Sequence, residues 1–328
     1  MIVVTGGAGF IGSNLVAALE ERGLGDIVVC DHMGQDDKWR NLAKRELGAI
    51  VAPERLIEFL DSHASEIETI FHMGAISATT ERDVDLVVAS NFTLSQRLWD
   101  WCTAHQARLI YASSAATYGD GSVGFDDDFA PAALARLRPL NAYGWSKHLF
   151  DRRVARIVAG NGPRPKQWAG LKFFNVYGPN EDHKGAMKSV VAHIFPRAQK
   201  GEPARLFRSH RPDYPDGGQQ RDFVYVRDCV ALLLWLYDHP GINGLFNCGT
   251  GKARSFLDLA NAVYRALGRE PKIEFVDTPA EIRDKYQYFT EAKMARIRVA
   301  GYATPPTALE DGVRHYVQNY LAGPDPYR

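Results

Sequence analysis

The sequence predicts an α/β protein, in which a doubly wound parallel sheet is combined with a smaller C-terminal α/β domain. Two observations lead to this fold class. Short apolar runs alternate with amphipathic helical patterns in the first half of the chain, which is typical of parallel sheets with helices on both faces. The alternation then weakens. We expect the sheet domain to comprise residues 1–175, with 221–247 returning to it, and the second domain to comprise 176–220 and 248–328.

The chain opens with a β-α-β unit whose first turn is rich in glycine. Residues 2–5 form a β-branched apolar run, a helical pattern follows, and a second apolar run covers 27–31. The turn has the spacing Gly6-x-x-Gly9-x-x-Gly12, in which glycines permit a sharp bend, a close backbone approach to a pyrophosphate and tight helix–strand packing. Because the amides at the helix start would face the phosphates, this unit predicts a Rossmann dinucleotide site.

An acidic residue at the end of the second strand bears on the choice of cofactor. Asp31 follows Gly12 by nineteen residues, where a carboxylate can bind the adenosine ribose hydroxyls of NAD. Lys38 and Arg40 follow closely and could accept the 2′-phosphate of NADP. Arg40 is equally consistent with a solvated loop charge, so charge alone leaves NAD and NADP open.

Two further strands are predicted to end at one edge of the sheet. Residues 69–72 lead into a loop of small residues, 73–77, that would pass under the cofactor. Residues 86–104 look helical, and residues 108–113 form a strand that delivers Ser114 at its carboxyl end. Ligands of open α/β sheets bind at this edge, so we expect Ser114 in the site.

The helix that follows this serine carries Tyr143 and Lys147. Their spacing of four residues puts both side chains on one helix face. A tyrosine with its usual pKa of about 10 is a poor base at neutral pH, and a nearby ammonium group lowers that pKa by favouring the phenolate. Together with Ser114, the pair could hold a substrate hydroxyl and accept its proton as the carbon loses hydride. The alternative is a helix with an unrelated tyrosine and lysine.

The second half of the chain contains shorter elements. Residues 181–187 lead into a helix that ends near residue 200, and residues 209–220 read as an exposed loop. We predict a turn at 176–180 and strands at 171–175, 221–226 and 245–247. Further helices are predicted at 227–238, 255–267, 291–300 and 308–321.

The composition argues against several classes of protein. Hydrophobic residues make up 45% of 328 residues, enough for a large core, and 39 Lys and Arg balance 39 Asp and Glu. A net charge of zero argues against a general nucleic-acid binder. The four cysteines form no CxxC pair, so no metal site is expected, and no apolar run approaches membrane-spanning length. No signal peptide precedes the first strand, and we expect a cytoplasmic protein that binds neither nucleic acid nor membrane.

Five motifs resemble those of the extended short-chain dehydrogenase/reductase family, whose members act on nucleotide sugars. They are TGGAGFIG at 5–12, SSA at 113–115, YGWSK at 143–147, FNVYGP at 174–179 and RDFVYV at 221–226. The resemblance covers nearly the full chain. Within the family, the chain looks most like enzymes that invert C6 of a heptose carried on ADP, because of YASSAATYG at 111–119, HKG at 183–185 and YQ at 286–287.

The resemblance implies a tightly bound NADP that is recycled within each turnover, with NAD as the alternative, and a homo-oligomer. It implies that Tyr143 and Lys184 act as an acid/base pair, that Ser114 assists, and that Lys147 binds the cofactor ribose. The expected cofactor contacts are Gly6, Gly9, Phe10, Ile11, Gly12, Asp31, His32, Lys38, Met73, Gly74, Ala75, Ser77, Asn91, Tyr143, Lys147 and Val176. The expected substrate contacts are Ser114, Asn175, Lys184, His193, Phe207, Arg221 and Tyr286.

Some residues depart from the family pattern or have a simpler interpretation. Asp31-His32, Met73 and Ala186 differ from the residues common in the family, and the 209–220 loop is longer than usual. Without the resemblance, Lys184 would be interpreted as a surface lysine and His183 as a turn residue.

Three rival functions remain. A 4,6-dehydratase or decarboxylase of the same fold is disfavoured, because Ala115 and Ala116 stand where dehydratases carry an acid and a base. A UDP-hexose 4-epimerase would use the same Ser, Tyr and Lys, but Lys184 favours the heptose enzyme. A non-enzymatic dinucleotide sensor would have no need for Ser114, Tyr143 and Lys147 together.

Overall fold

The computed structural model describes residues 1–279, 283 and 286–328. In this part of the chain the strands are β1 (Ile2–Thr5), β2 (Ile27–Cys30), β3 (Ala49–Val51), β4 (Thr69–His72), β5 (Arg108–Ser114), β6 (Gln167–Phe173), β7 (Asn175–Tyr177), β8 (Ala204–Phe207), β9 (Gln220–Arg221), β10 (Phe223–Tyr225), β11 (Gly244–Cys248), β12 (Arg254–Ser255) and β13 (Ile273–Val276). The α-helices are α1 (Phe10–Glu21), α2 (Leu56–Ser62), α3 (Val84–Val87), α4 (Leu94–His105), α5 (Pro131–Leu134), α6 (Ala142–Ala159), α7 (Val190–Lys200), α8 (Val226–Asp238), α9 (Phe256–Ala266), α10 (Ala295–Val299) and α11 (Leu309–Tyr316).

Seven parallel strands form the central sheet, in the order β3-β2-β1-β4-β5-β6-β11. Every residue of β1, β2, β4 and β6 is buried, as expected for strands of a parallel sheet that is covered on both faces. The chain moves outward from β1 to β3 and then returns to β4 on the other side. Open α/β sheets bind their ligands at such a reversal, here at the carboxyl ends of β1 and β4. The strand order confirms the predicted doubly wound fold.

A second hydrophobic cluster lies outside the sheet. It contains residues of α7, α9 and α11 and of the two-stranded pairs β7 with β10 and β8 with β13, while β9 pairs with β12 in a third two-stranded sheet. Of the segment 221–247, α8 packs on α1 and β11 joins the central sheet. The strands at its start, β9 and β10, pair outside the sheet instead. The two clusters are continuous, because Ile11 and Val176 pack against both.

Several predicted elements differ from the structure. The turn expected at 176–180 begins with β7, because residues 175–177 pair in parallel with β10, far along the chain. The helix expected at 86–104 contains a π-helical segment, Val88–Thr93, between α3 and α4. The strand expected at 171–175 ends at Phe173, and the one at 221–226 is interrupted at Asp222. Strands β3, β8, β12 and β13 were not predicted, since each is short and pairs at an edge.

Within residues 1–279, 283 and 286–328, every helix is too short or too polar to span a membrane. No group of three or more His, Cys, Asp or Glu residues in this part of the chain is arranged to hold a metal ion. All four cysteines are buried and free.

Candidate active site

At two glycines of the glycine-rich turn, neighbouring backbone lies so close that a side chain would not fit. Gly6 has φ +65°, and a Cβ added there would lie 2.5 Å from the backbone of Gly74. A Cβ at Gly12 would lie 2.0 Å from the carbonyl oxygen of Gly6. Gly9 precedes α1 without a side-chain hydrogen bond to cap the helix, so the first amides of α1 are available to a phosphate. The turn therefore fits the pyrophosphate of a dinucleotide.

The end of β2 combines a carboxylate with a lysine. Lys38 Nζ lies 2.6 Å from Asp31 Oδ1 and donates to the carbonyl oxygen of His32 at 2.9 Å. The other oxygen of Asp31 accepts from the backbone amide of Ala8 at 3.0 Å. His32 is exposed and its ring contacts Glu54 at 2.8 Å. Asp31 is thus tied to the glycine-rich turn, and its charge is neutralised by Lys38.

The loop after β4 packs on the glycine-rich turn and is held by Asn91. Asn91 is fully buried, accepts from the Ile76 amide at 2.8 Å and donates to the Ile76 carbonyl oxygen at 3.0 Å. Its amide also donates to Ser146 on α6 at 3.0 Å. Asn91, predicted as a cofactor contact, has its side chain engaged in joining this loop to α6. The other predicted contacts in this loop, Met73, Gly74, Ala75 and Ser77, are at least partly exposed.

The structure brings Ser114 and Tyr143 together, and Lys147 follows Tyr143 by four residues on α6. Ser114 ends β5, and its side chain hydrogen-bonds that of Tyr143 near the start of α6. Burial raises the pKa of Tyr143, and the bond to Ser114 offsets only part of that rise. The pKa of Tyr143 thus lies above its usual value, whereas the spacing to Lys147 predicts a lowered one, because the loss of hydration on burial is the largest effect. Tyr143 is a neutral phenol here.

Lys147 lies one turn further along α6, and its environment disfavours its own charge. The side chain is only 4% exposed, and burial lowers its pKa to about 8, although the charge of Asp151 acts in the opposite direction. Lys147 is therefore largely charged at neutral pH and loses that charge within reach of ordinary assay conditions. A charged ammonium beside the site is what stabilises a developing phenolate.

Lys184 lies beside the glycine-rich turn rather than in open solvent. Its Nζ is 5.2 Å from the centroid of the Phe10 ring, a cation–π arrangement. Burial lowers the pKa of Lys184, and the nearby carboxylate of Glu181 offsets part of the shift. His183 next to it contacts the Asn41 amide at 3.1 Å, which in turn donates to the carbonyl oxygen of Ala8 at 2.9 Å. The segment that carries Lys184 is thus fixed to the dinucleotide turn.

Three of the predicted substrate residues, Phe207, Arg221 and Tyr286, lie close together. The Arg221 guanidinium lies 5.4 Å from the ring centroid of Tyr286, and Tyr286 packs edge-on against Phe207 at 5.9 Å. Arg221 is buried, burial lowers its pKa, and no carboxylate among the described residues lies within 4.0 Å of it. A buried cation without a carboxylate partner is suited to a bound anion. Asn175 and His193 are exposed. Asn175 pairs with Phe223 in the parallel β7–β10 ladder, and the His193 ring contacts the Ala186 carbonyl oxygen at 3.2 Å.

Sequence reasoning missed two buried charges beneath the catalytic helix, Asp151 on α6 and Lys172 on β6. They form an ion pair at 2.9 Å. Asp151 follows Lys147 by four residues, so the spacing used for Tyr143 and Lys147 could have identified it. Lys172 offered no such signal, because a lysine within an apolar strand is usually interpreted as a residue at the strand edge.

Comparisons with known proteins agree on one family. A sequence model described as the NAD dependent epimerase/dehydratase family matches residues 2–249. The ADP-L-glycero-D-manno-heptose-6-epimerase of Nitratidesulfovibrio vulgaris (strain DP4) is 50% identical over 330 positions that cover 100% of both chains. The solved ADP-L-glycero-D-manno-heptose-6-epimerase of Helicobacter pylori superposes with a TM-score of 0.77 at 26% identity and covers 97% of this chain and 95% of that one. The UDP-glucose 4-epimerase of Thermus thermophilus, solved with NAD, gives 0.74 at 26% identity with 95% and 96% coverage.

Proposed function

The chain belongs to the NAD dependent epimerase/dehydratase family, and we propose that it converts ADP-D-glycero-D-manno-heptose to ADP-L-glycero-D-manno-heptose by inverting C6. It is a nucleotide-sugar epimerase that uses a nicotinamide dinucleotide. The substrate assignment rests on the full-length identity to an enzyme of that name. The proposed chemistry is supported by Ser114 at the carboxyl end of β5, by its interaction with Tyr143, and by Lys147 on the same helix as Tyr143.

The glycine-rich turn and the end of β2 are the parts of the chain that would hold the cofactor. The free amides at the start of α1 would bind the pyrophosphate, and Asp31 with Lys38 would bind the adenosine ribose. Lys147 would bind the other ribose. The cofactor, when bound, supplies reversible hydride acceptance and a positively charged ring in its oxidised form.

The proton of the C6 hydroxyl is handled by two side chains in this proposal. Tyr143, oriented by Ser114 and favoured as a phenolate by Lys147, accepts it in one orientation of the sugar. Lys184 serves the opposite face after the transient ketone has turned in the cleft. Because burial lowers the pKa of Lys184, its neutral form, which can accept a proton, is more accessible than that of an exposed lysine.

The diphosphate of the nucleotide sugar is assigned to Arg221. The guanidinium is already desolvated between Tyr286 and Phe256, at 5.4 and 5.5 Å from their ring centroids. An anionic ligand would compensate this buried charge, and a guanidinium can bind two phosphate oxygens at once. Phe207 and Tyr286 would then contact the nucleotide beside it.

An assay of the purified protein against two substrates tests the proposal. ADP-D-glycero-D-manno-heptose and UDP-galactose are each incubated with the enzyme, and the configuration of the product is read by proton NMR. We expect inversion at C6 of the heptose and little change of the galactose. Efficient inversion at C4 of UDP-galactose, with the heptose unchanged, would contradict the assignment.

The cofactor that we propose is NADP, because of Lys38. Its ammonium neutralises Asp31, so a 2′-phosphate at this ribose would meet a cation rather than an uncompensated carboxylate. Replacing Lys38 with Ala should weaken NADP binding at least about tenfold more than NAD binding, as expected for the loss of one charge-assisted hydrogen bond.

The measurement is a titration of each cofactor by calorimetry, with Arg40→Ala as the matched control. Arg40 is paired with Asp37 at 3.1 Å on the exposed side of the same segment, and its loss should affect both cofactors equally and weakly. Equal weakening of both cofactors in Lys38→Ala would remove Lys38 from the 2′-phosphate site.

A further inference from the structure

A fully buried ion pair lies directly beneath the catalytic residues. Lys172 Nζ is 2.9 Å from Asp151 Oδ2, and both side chains are 0% exposed. The same ammonium donates to Thr117 Oγ1 at 2.6 Å. Ser113 donates its hydroxyl to Asp151 Oδ2 at 2.7 Å, and the Tyr111 hydroxyl lies 3.4 Å from Asp151 Oδ1. The oxygens of Asp151 are therefore engaged by groups from β5 and β6.

Stability alone is a poor explanation for this pair. In many buried ion pairs, the free energy lost when two charges leave water exceeds the free energy gained from their attraction. Apolar residues of similar volume often give a protein of equal or greater stability. The location is more informative. Ser113 precedes Ser114, Thr117 lies in the turn that follows Ser114, and Asp151 is one helical turn beyond Lys147. Asp151 thus contacts the residue before Ser114, and Lys172 contacts the turn after it.

The arrangement contains two lysines and one carboxylate. Lys147 and Asp151 are four residues apart on α6, a spacing at which an ion pair can form along a helix. The structure instead pairs Asp151 with Lys172, and no carboxylate in the described part of the chain lies within 4.0 Å of Lys147 Nζ. Among the described residues, the buried Lys147 ammonium therefore forms no ion pair, although Asp151 lies only one helical turn away.

We propose that Lys172 is a positioning residue that engages Asp151, so that Lys147 remains unpaired and can turn to the cofactor ribose and Tyr143. This role rests on the function proposed above for Lys147. Without Lys172, Asp151 would be an uncompensated buried anion one turn from Lys147, and we expect the two to pair along α6. The ammonium would then be drawn away from the ribose.

The other titratable groups around Lys147 carry no negative charge that could pair with its ammonium. Tyr143 on the same helix is a neutral phenol, since burial raises its pKa. His72 faces Lys147 from β4, and burial together with the charge of Lys147 lowers the pKa of His72 to about 3, so it is neutral. Asp151 is the anion that acts on Lys147, and Lys172 lies behind it on β6.

The decisive experiment measures the binding of reduced nicotinamide cofactor by its fluorescence in Lys172→Met, in Asp151→Asn/Lys172→Met and in the unchanged protein. We expect Lys172→Met to bind cofactor about tenfold more weakly, the effect of losing one hydrogen bond from a charged donor. The double variant removes the competing carboxylate and should recover most of the affinity. Arg108→Met is the matched control, because it removes a buried cation, paired with Glu68, from the opposite end of β5.

A pH series adds a second readout that a purely structural role would not change. In the unchanged protein, affinity should fall as pH rises through about 8, where Lys147 loses its charge. In Lys172→Met this fall should move to higher pH, because the uncompensated carboxylate holds the proton on Lys147. In Asp151→Asn it should move to lower pH.

Two results would overturn the proposal. One is unchanged affinity in a folded Lys172→Met, and the other is a double variant that binds no better than Lys172→Met. Thermal unfolding checks the fold, and Lys172→Gln, which retains a donor for Thr117 but no charge, replaces Lys172→Met if that variant does not fold. A protein that binds cofactor normally but leaves ADP-heptose unchanged would contradict the proposed substrate and leave this binding test valid.

Discussion

Tyr143 is a neutral phenol whose hydroxyl interacts with the Ser114 side chain. Burial raises the pKa of this hydroxyl, so the proton stays on it. The charge of Lys147 is therefore required at the moment when the substrate hydroxyl gives up its proton, rather than in the resting protein. This separates two properties that mutation can test, the position of the ring and the acidity of the hydroxyl.

Tyr143→Phe removes the hydroxyl and retains the ring. We expect the turnover number to fall at least about a hundredfold, the usual contribution of general acid–base catalysis, while the melting temperature changes little. Steady-state epimerisation of ADP-heptose and a thermal melt provide the two measurements. The control is Tyr237→Phe, whose ring packs 4.3 Å from the Arg108 guanidinium at the start of β5, away from the carboxyl edge of the sheet, and it should leave turnover unchanged. Turnover in Tyr143→Phe close to that of the unchanged protein would assign the proton transfer to another group.

At the scale of elements, the sequence predicted those whose signal is local. The glycine spacing of 6, 9 and 12 identified the turn, and the four-residue spacing of Tyr143 and Lys147 identified the catalytic face of α6. Strand β7 could not be predicted in this way, because its partner β10 lies more than forty residues later. Lys38 pairing with Asp31, and Arg221 buried against aromatic rings, depend on contacts that local patterns do not contain.

Gly12→Ala tests the close approach between α1 and the turn. The added methyl group would lie 2.0 Å from the Gly6 carbonyl oxygen, so α1 must shift away. The amides at the start of α1 would then no longer point at the pyrophosphate of the cofactor. We expect a loss of about 1–3 kcal/mol in the free energy of unfolding, as for other overpacked sites, and weaker cofactor binding. Denaturant unfolding and a cofactor titration measure the two effects.

Gly241→Ala is the matched control for that change. A Cβ at Gly241 meets no heavy atom within 4 Å, so both quantities should stay near those of the unchanged protein. A Gly12→Ala protein that is as stable as this control and binds cofactor as tightly would show that α1 and the turn are not packed as closely as described.

At the scale of the whole molecule, the dinucleotide turn belongs to both hydrophobic clusters. Phe10, the first residue of α1, is buried in the second cluster, and Ile11 contacts both. Hydrogen bonds reinforce the join, with Asn14 donating to the Pro179 carbonyl oxygen at 3.0 Å and Asn180 donating to Ser13 at 3.0 Å. The homo-oligomer expected from the family resemblance stays a prediction, which light scattering would test.

Because the turn joins the clusters, cofactor should stabilise both together. Binding at a hundred times the dissociation constant adds about 2.7 kcal/mol to the free energy of unfolding. We expect one calorimetric transition that moves as a whole to higher temperature when cofactor is added. Two separate transitions, of which only one responds to cofactor, would show that the clusters unfold independently.

The three functional positions of α6 also restrict how this helix can vary in length. Residues 143, 147 and 151 occupy successive turns on one face, and each faces a different partner in the sheet or the site. Inserting or deleting one residue between Tyr143 and Asp151 would rotate everything beyond it by about 100°, and Asp151 would leave its contact with Lys172. A length change here would separate the catalytic tyrosine from its supporting charges, whereas one in the connection between α6 and β6 would leave them aligned.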